Sequence, residues 1–73
     1  MTSNHRFEVA IYNEEVKKSV REGDPNKTGL SDDWADTRYI EVSADSPDTA
    51  KRRIYARYPE RRGFVILEVR RID

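Results

Sequence analysis

The sequence predicts a small α+β domain: a three-stranded sheet with two helices on one face, containing a C-terminal βαβ unit. Three observations predict it. Two segments alternate apolar and polar residues, and a third is a short apolar run. Two segments between them carry helix caps at both ends. The resulting order is strand, short helix, long loop, strand, helix, strand.

"FEVAIYN", Phe7 to Asn13, sets Phe7, Val9 and Ile11 on one face and Glu8, Ala10 and Tyr12 on the other, the period of a strand. Residues 1–6 before it are polar and are expected to be disordered. "NEEVKKSVREG" reads as a helix. Asn13 is the N-cap, Glu14 and Glu15 sit in the first turn, and Gly23 closes it. Its apolar stripe is Val16 and Val20, so packing must hold so short a helix.

"RYIEVSA" alternates again, with Ile40, Val42 and Ala44 opposite Tyr39, Glu41 and Ser43. In "SPDTAKRRIYARYP" Ser46 caps a helix, Pro47 occupies its first position, and Pro59 stops it. Ala50, Ile54 and Tyr58 recur at i, i+4 and i+8 and form the buried stripe. "PERRG" is a turn. "FVILEV" is apolar on both faces at its start, which predicts the central strand. Val65, Leu67 and Val69 are expected to face the helices. Phe64 and Ile66 would then look the other way and need cover from the Trp34 loop, a second subunit or a ligand.

The chain of 73 residues forms one domain, 1–73, with a small core, since 36% of residues are hydrophobic and 38% charged. It has no cysteine, which excludes disulfides and thiolate metal sites. The longest apolar run, Phe64 to Leu67, is too short to span a bilayer, and the N-terminus lacks a signal-peptide core. A cytoplasmic protein without a membrane role is expected. Charge sums to zero, but residues 1–36 carry five basic and eight acidic residues, and residues 37–73 carry nine and six.

"DPNKTGLSDDWAD", Asp24 to Asp36, echoes a calcium loop. Asp24, Asn26 and Thr28 fall at positions 1, 3 and 5, Gly29 at 6 and Asp32 at 9. Position 12 is Ala35, which offers no oxygen, and a strand follows instead of a helix. A plain polar turn is therefore preferred, with no metal or other cofactor expected. Trp34 inside this loop reads either as an anchor packed on the core or as an exposed hot spot for a partner.

Lys51, Arg52, Arg53, Arg57, Arg61 and Arg62 make the second helix and its exit basic, and Tyr55 lies among them. Such a surface suits a phosphate backbone with stacked bases, and Tyr12, Tyr39 and Phe64 could add a stacking platform. A solvated face with ion pairs such as Asp48–Arg52 is the plainer reading, and a pI near 6.6 favours it. Catalysis has little footing. The single histidine, His5, lies near the chain start, and there is no glycine-rich phosphate loop.

The stretch "DDWADTRYIEVSADSPDTAKRRIYARYPERRGFVILEV" resembles small uncharacterised accessory proteins of tailed phages of marine bacteria, including cyanobacteria. The Trp-Ala-Asp before a strand, the "SADSPDTAKRRI" helix entry, the "RYP" stop and the "GFVI" strand carry the resemblance. It implies a small accessory protein in the bacterial cytoplasm that binds a host protein. It implies no activity and no site residues.

The reading that follows is a non-enzymatic protein that binds a protein partner, through Trp34, Tyr55, Phe64 and Ile66, and forms a homodimer. Nucleic-acid binding through the basic helix ranks second, and a calcium-binding loop third.

Overall fold

β1 (His5–Asn13) is the middle strand of an antiparallel sheet in a computed structural model that describes residues 4–73. β2 (Arg38–Ala44) flanks it on one side and β3 (Phe64–Arg71) on the other. Both outer strands run antiparallel to β1 and hence parallel to each other. The helix between them, α2 (Pro47–Arg57), makes the expected C-terminal βαβ unit, but with β1 inserted between its strands. α1 (Glu14–Glu22) follows β1 directly.

The caps form as the sequence predicts. Asn13 accepts the Val16 N–H through its side chain, and Gly23 closes α1 in the left-handed region. Ser46 accepts the Thr49 N–H, and Pro47 opens α2. The helix stripes are half right for α1, where Val16 is buried but Val20 is exposed. They are right for α2, where Ala50 and Ile54 are buried and Tyr58 packs on the same core.

Three expectations are corrected. The central strand is β1, not β3. Phe7, Val9 and Ile11 are buried on its helix face, and Ala10 is buried on the other. Ala10 lies between Tyr39 and Glu68 of the two flanking strands, which shields it although nothing among the described residues packs over that face. The second correction concerns which way β3 faces. Phe64 is 3% exposed and Ile66 packs on the helix-side core, whereas Leu67 is 58% exposed. The cause is a β-bulge. Ile66 pairs with Ile11 and Glu68 with Ala10, so Leu67 is an extra residue. The bulge shifts parity, which lets Val69 return to the helix side opposite Val9. The third correction is at the N-terminus. His5 and Arg6 of the segment 1–6 belong to β1, tied down because Arg6 accepts the Ile72 N–H through its carbonyl. Residues 1–3 lie outside the described residues.

The core therefore sits on one side of the sheet. Val9, Ile11, Val16, Trp34, Ile54 and Phe64 form its larger cluster, and Phe7, Ala44 and Ala50 a smaller one beneath α2. No helix among the described residues is long and apolar enough to cross a membrane.

Candidate interaction surface

The residues expected to meet a partner are mostly spent on the fold. Trp34 lies on a 3₁₀ turn, Asp32–Ala35, and is 9% exposed. Its ring stands 5.1 Å from that of Phe64 and 5.2 Å from that of Tyr58, and the Arg38 guanidinium lies 5.0 Å above it. It is the loop's anchor, as the first of its two sequence readings has it. Tyr55 is half-buried, and its hydroxyl accepts the Ile66 N–H at 3.1 Å on the outer edge of β3. Trp34, Phe64 and Ile66 thus build the helix-side core and do not form an exposed hot spot.

The Asp24–Asp36 loop is organised around Asn26. Its Oδ1 accepts from the Thr28 N–H at 3.0 Å and from the Thr28 hydroxyl at 2.6 Å. Its Nδ2 donates to the Leu30 carbonyl at 2.7 Å and to Asp32 at 3.0 Å. The oxygens that a calcium reading needs from Asn26 and Thr28 are turned to one another, and Asn26 meets Asp32 as a donor. Asp24 stands apart, its N–H donating to Ser19 at the end of α1. Among the described residues no three His, Asp or Glu side chains converge as a metal site would need. The network explains the loop as bracing: it holds Leu30 and Trp34 against the core.

The basic residues divide. Arg53 donates to the Ser43 carbonyl, and Arg62 to that of Thr28 at 3.3 Å. Lys51, Arg52, Arg57 and Arg61 are exposed, and no acidic side chain lies within ion-pair distance of them among the described residues. The expected Asp48–Arg52 pair does not form. On a helix with Ala50 and Ile54 inward, Lys51 falls on the β3 flank, Arg52 outward and Arg53 on the β2 flank. The cations ring the helix rather than line one stripe.

Among the described residues nothing packs over the opposite face of the sheet, which is bare. It carries Arg6, Glu8, Ala10 and Tyr12 of β1, Tyr39, Glu41 and Ser43 of β2, and Val65, Glu68 and Arg70 of β3. Arg70 pairs with Glu8 at 2.9 Å and Arg6 with Glu41 at 2.8 Å. A shallow basin of about 450 Å³ lies among Glu8, Ala10, Tyr39, Glu68 and Arg70. Tyr39 rises beside it, 67% exposed. At the far end Lys17 lies 5.0 Å over the Tyr12 ring, and a hydrogen bond with Glu14, with burial second, raises the Tyr12 hydroxyl above its usual pKa. Sequence periodicity placed Tyr12 and Tyr39 here. It placed Glu8 and Glu41 beside them but missed Arg6, Glu68 and Arg70, whose i, i+2 recurrence was the available signal.

His5 begins β1 with Nδ1 3.7 Å from Asp73. The Asp73 carboxyl is held below its usual range, chiefly by a hydrogen bond from Arg71. No protein-family profile, curated protein or solved structure matches the chain.

Proposed function

We propose that this protein is a non-enzymatic accessory module that binds a protein partner through the bare sheet face and associates as a homodimer. One observation carries the reading: the helix side is closed by Trp34, Tyr58 and Phe64, while the other face displays an exposed tyrosine among paired charges around a shallow basin. A face of fixed charges with an amphipathic aromatic suits recognition of a polar protein surface. Two ion pairs, Arg6–Glu41 and Arg70–Glu8, cross its strands. The resemblance to phage accessory proteins suggests a host protein as partner and the bacterial cytoplasm as the place of action.

Nucleic acid is the second reading, favoured by the four cations of α2 and its exit that have no acidic neighbour. Capture from bacterial lysate, with and without nuclease, separates the two. A nuclease-resistant protein lost with Glu68→Arg, yet kept when Lys51, Arg52, Arg57 and Arg61 become Glu, is the expected result. Recovered nucleic acid that disappears with the helix variant would replace the first reading by the second.

A further inference from the structure

We propose that the outer edge of β2 pairs with the same edge of a second copy, antiparallel about Ile40, to make one six-stranded sheet. The proposal rests on the homodimer reading above and names its site and register.

The sheet treats its two outer edges differently. On β3, the Tyr55 hydroxyl occupies the Ile66 N–H, and the bulge at Leu67 breaks the strand's regularity. Both are ways in which natural sheets discourage added strands. β2 has neither. It pairs with β1 over seven consecutive residues without a register shift. Among the described residues its one covered group is the Ser43 carbonyl, which accepts from Arg53.

The backbone groups that face outward follow from the ladder. Arg6 turns its carbonyl to β3, where Ile72 donates to it at 2.9 Å. Its β2 partner Ser43 must then point away from β1, as the Arg53 contact agrees. Alternation along an antiparallel strand gives the same outward direction to Glu41 and Tyr39. Two residues in succession along the edge therefore offer N–H and C=O groups to a new strand.

Chemistry selects the register. A pair centred on Glu41 would set that carboxylate against its own copy and would need the Ser43 carbonyl that Arg53 holds. A pair centred on Val42 needs that carbonyl as well. Centring on Ile40 uses Tyr39 and Glu41 and leaves Ser43 at the margin. Tyr39 then faces Glu41 of the second copy, twice by symmetry. Ile40 meets Ile40 on the helix side. The two Tyr39 rings become diagonal neighbours on the bare face, within aromatic reach. The most exposed aromatic side chain in the described chain gains a partner.

Sedimentation of the full chain from about 10 µM to about 1 mM tests this. The wild type should pass from monomer to dimer. Tyr39→Glu opposes two carboxylate pairs and should weaken the dimer by about tenfold or more. Adding Glu41→Lys to it turns each pair into Glu opposite Lys and should restore association, which a register centred on Glu41 would not do. Position 39 is exposed in the monomer, and far-UV circular dichroism checks that both variants fold. A wild type monomeric throughout, or a dimer indifferent to Tyr39→Glu, overturns the pairing. A monomer that still captures its protein partner would overturn the pairing alone and leave the binding reading standing. A dimer that obeys the charge swap but captures nothing would support the pairing and count against partner binding.

Discussion

Asn13 and Gly63 are fitted against each other: a Cβ on Gly63 would stand 2.9 Å from the Asn13 Oδ1. Around that contact Asn13, fully buried, accepts the Val16 N–H and donates to the Arg62 carbonyl at 2.9 Å, while the Glu14 N–H reaches the Gly63 carbonyl at 2.8 Å. One side chain thus caps α1 and fixes the turn that starts β3. Gly63 has φ 94°, where a side chain is strained even without the close approach. Gly63→Ala should destabilise by about 1–3 kcal/mol. Asn13→Ala should cost about 2 kcal/mol, since it removes a cap and leaves a carbonyl unpaired. Urea denaturation measures both, and a loss below about 0.5 kcal/mol in either would mean the joint contributes little.

The bulge in β3 makes a paired prediction. Ile54, 2% exposed on the inner face of α2, should cost about 2–5 kcal/mol when changed to Ala. Leu67→Ala should stay within about 0.5 kcal/mol, although sequence periodicity made Leu67 a core residue. Equal losses in the same denaturation assay would contradict the bulge.

Trp34→Ala should cost about 3–5 kcal/mol, because it empties the space between Tyr58 and Phe64. The native Trp34 should show blue-shifted fluorescence that moves red on unfolding. Emission at the wavelength of free tryptophan in the folded protein would place the ring in water and contradict the anchor.

The loop network predicts that Asn26→Ala lowers stability by about 1–2 kcal/mol through the lost Leu30 and Thr28 bonds. Asp24→Ala should change little, and millimolar calcium should not raise the Tm of the wild type. A calcium-dependent rise abolished by Asp24→Ala would restore the metal reading.

Hydrogen bonding from Thr49 holds the Asp45 carboxyl below its ordinary 3.8, and bonding from Arg71 does the same for Asp73. A depressed carboxyl stabilises the fold above its unfolded pKa, and that contribution is lost as pH falls through the folded one. The Tm should therefore fall below about pH 4, and Asp45→Asn with Asp73→Asn should shrink that fall. Both groups are exposed, so the effect is small and weakens with salt. An unchanged acid limb in the double variant would contradict it.

Element type was legible wherever chemistry is local. Asn13, Ser46, Pro47 and Gly23 announce helix ends because caps act within a few residues of chain. Strand order was not, because it depends on which strand is flanked at both edges. Ala10 holds that information, but a single small residue on a polar face gives no periodic signal. Leu67 misled for a related reason: one inserted residue breaks the alternation, so a pattern that is right at Val69 is wrong for Phe64 to Ile66, and the sequence carries no glycine there to mark it. The bare face followed from that error. With Phe64 and Ile66 placed outward, it looked apolar and in need of cover. With them inward, it is a lattice of charges around Tyr39, and the open edge of β2 becomes the feature without a partner.

Amide hydrogen exchange, compared between dilute and concentrated protein, tests the β2 edge most directly. The Tyr39 and Glu41 amides should exchange fast when dilute and slow markedly when concentrated. The Ile40 and Val42 amides, bonded to β1, should be protected equally in both. Tyr39 and Glu41 amides that exchange at the same rate at every concentration would contradict strand pairing at this edge.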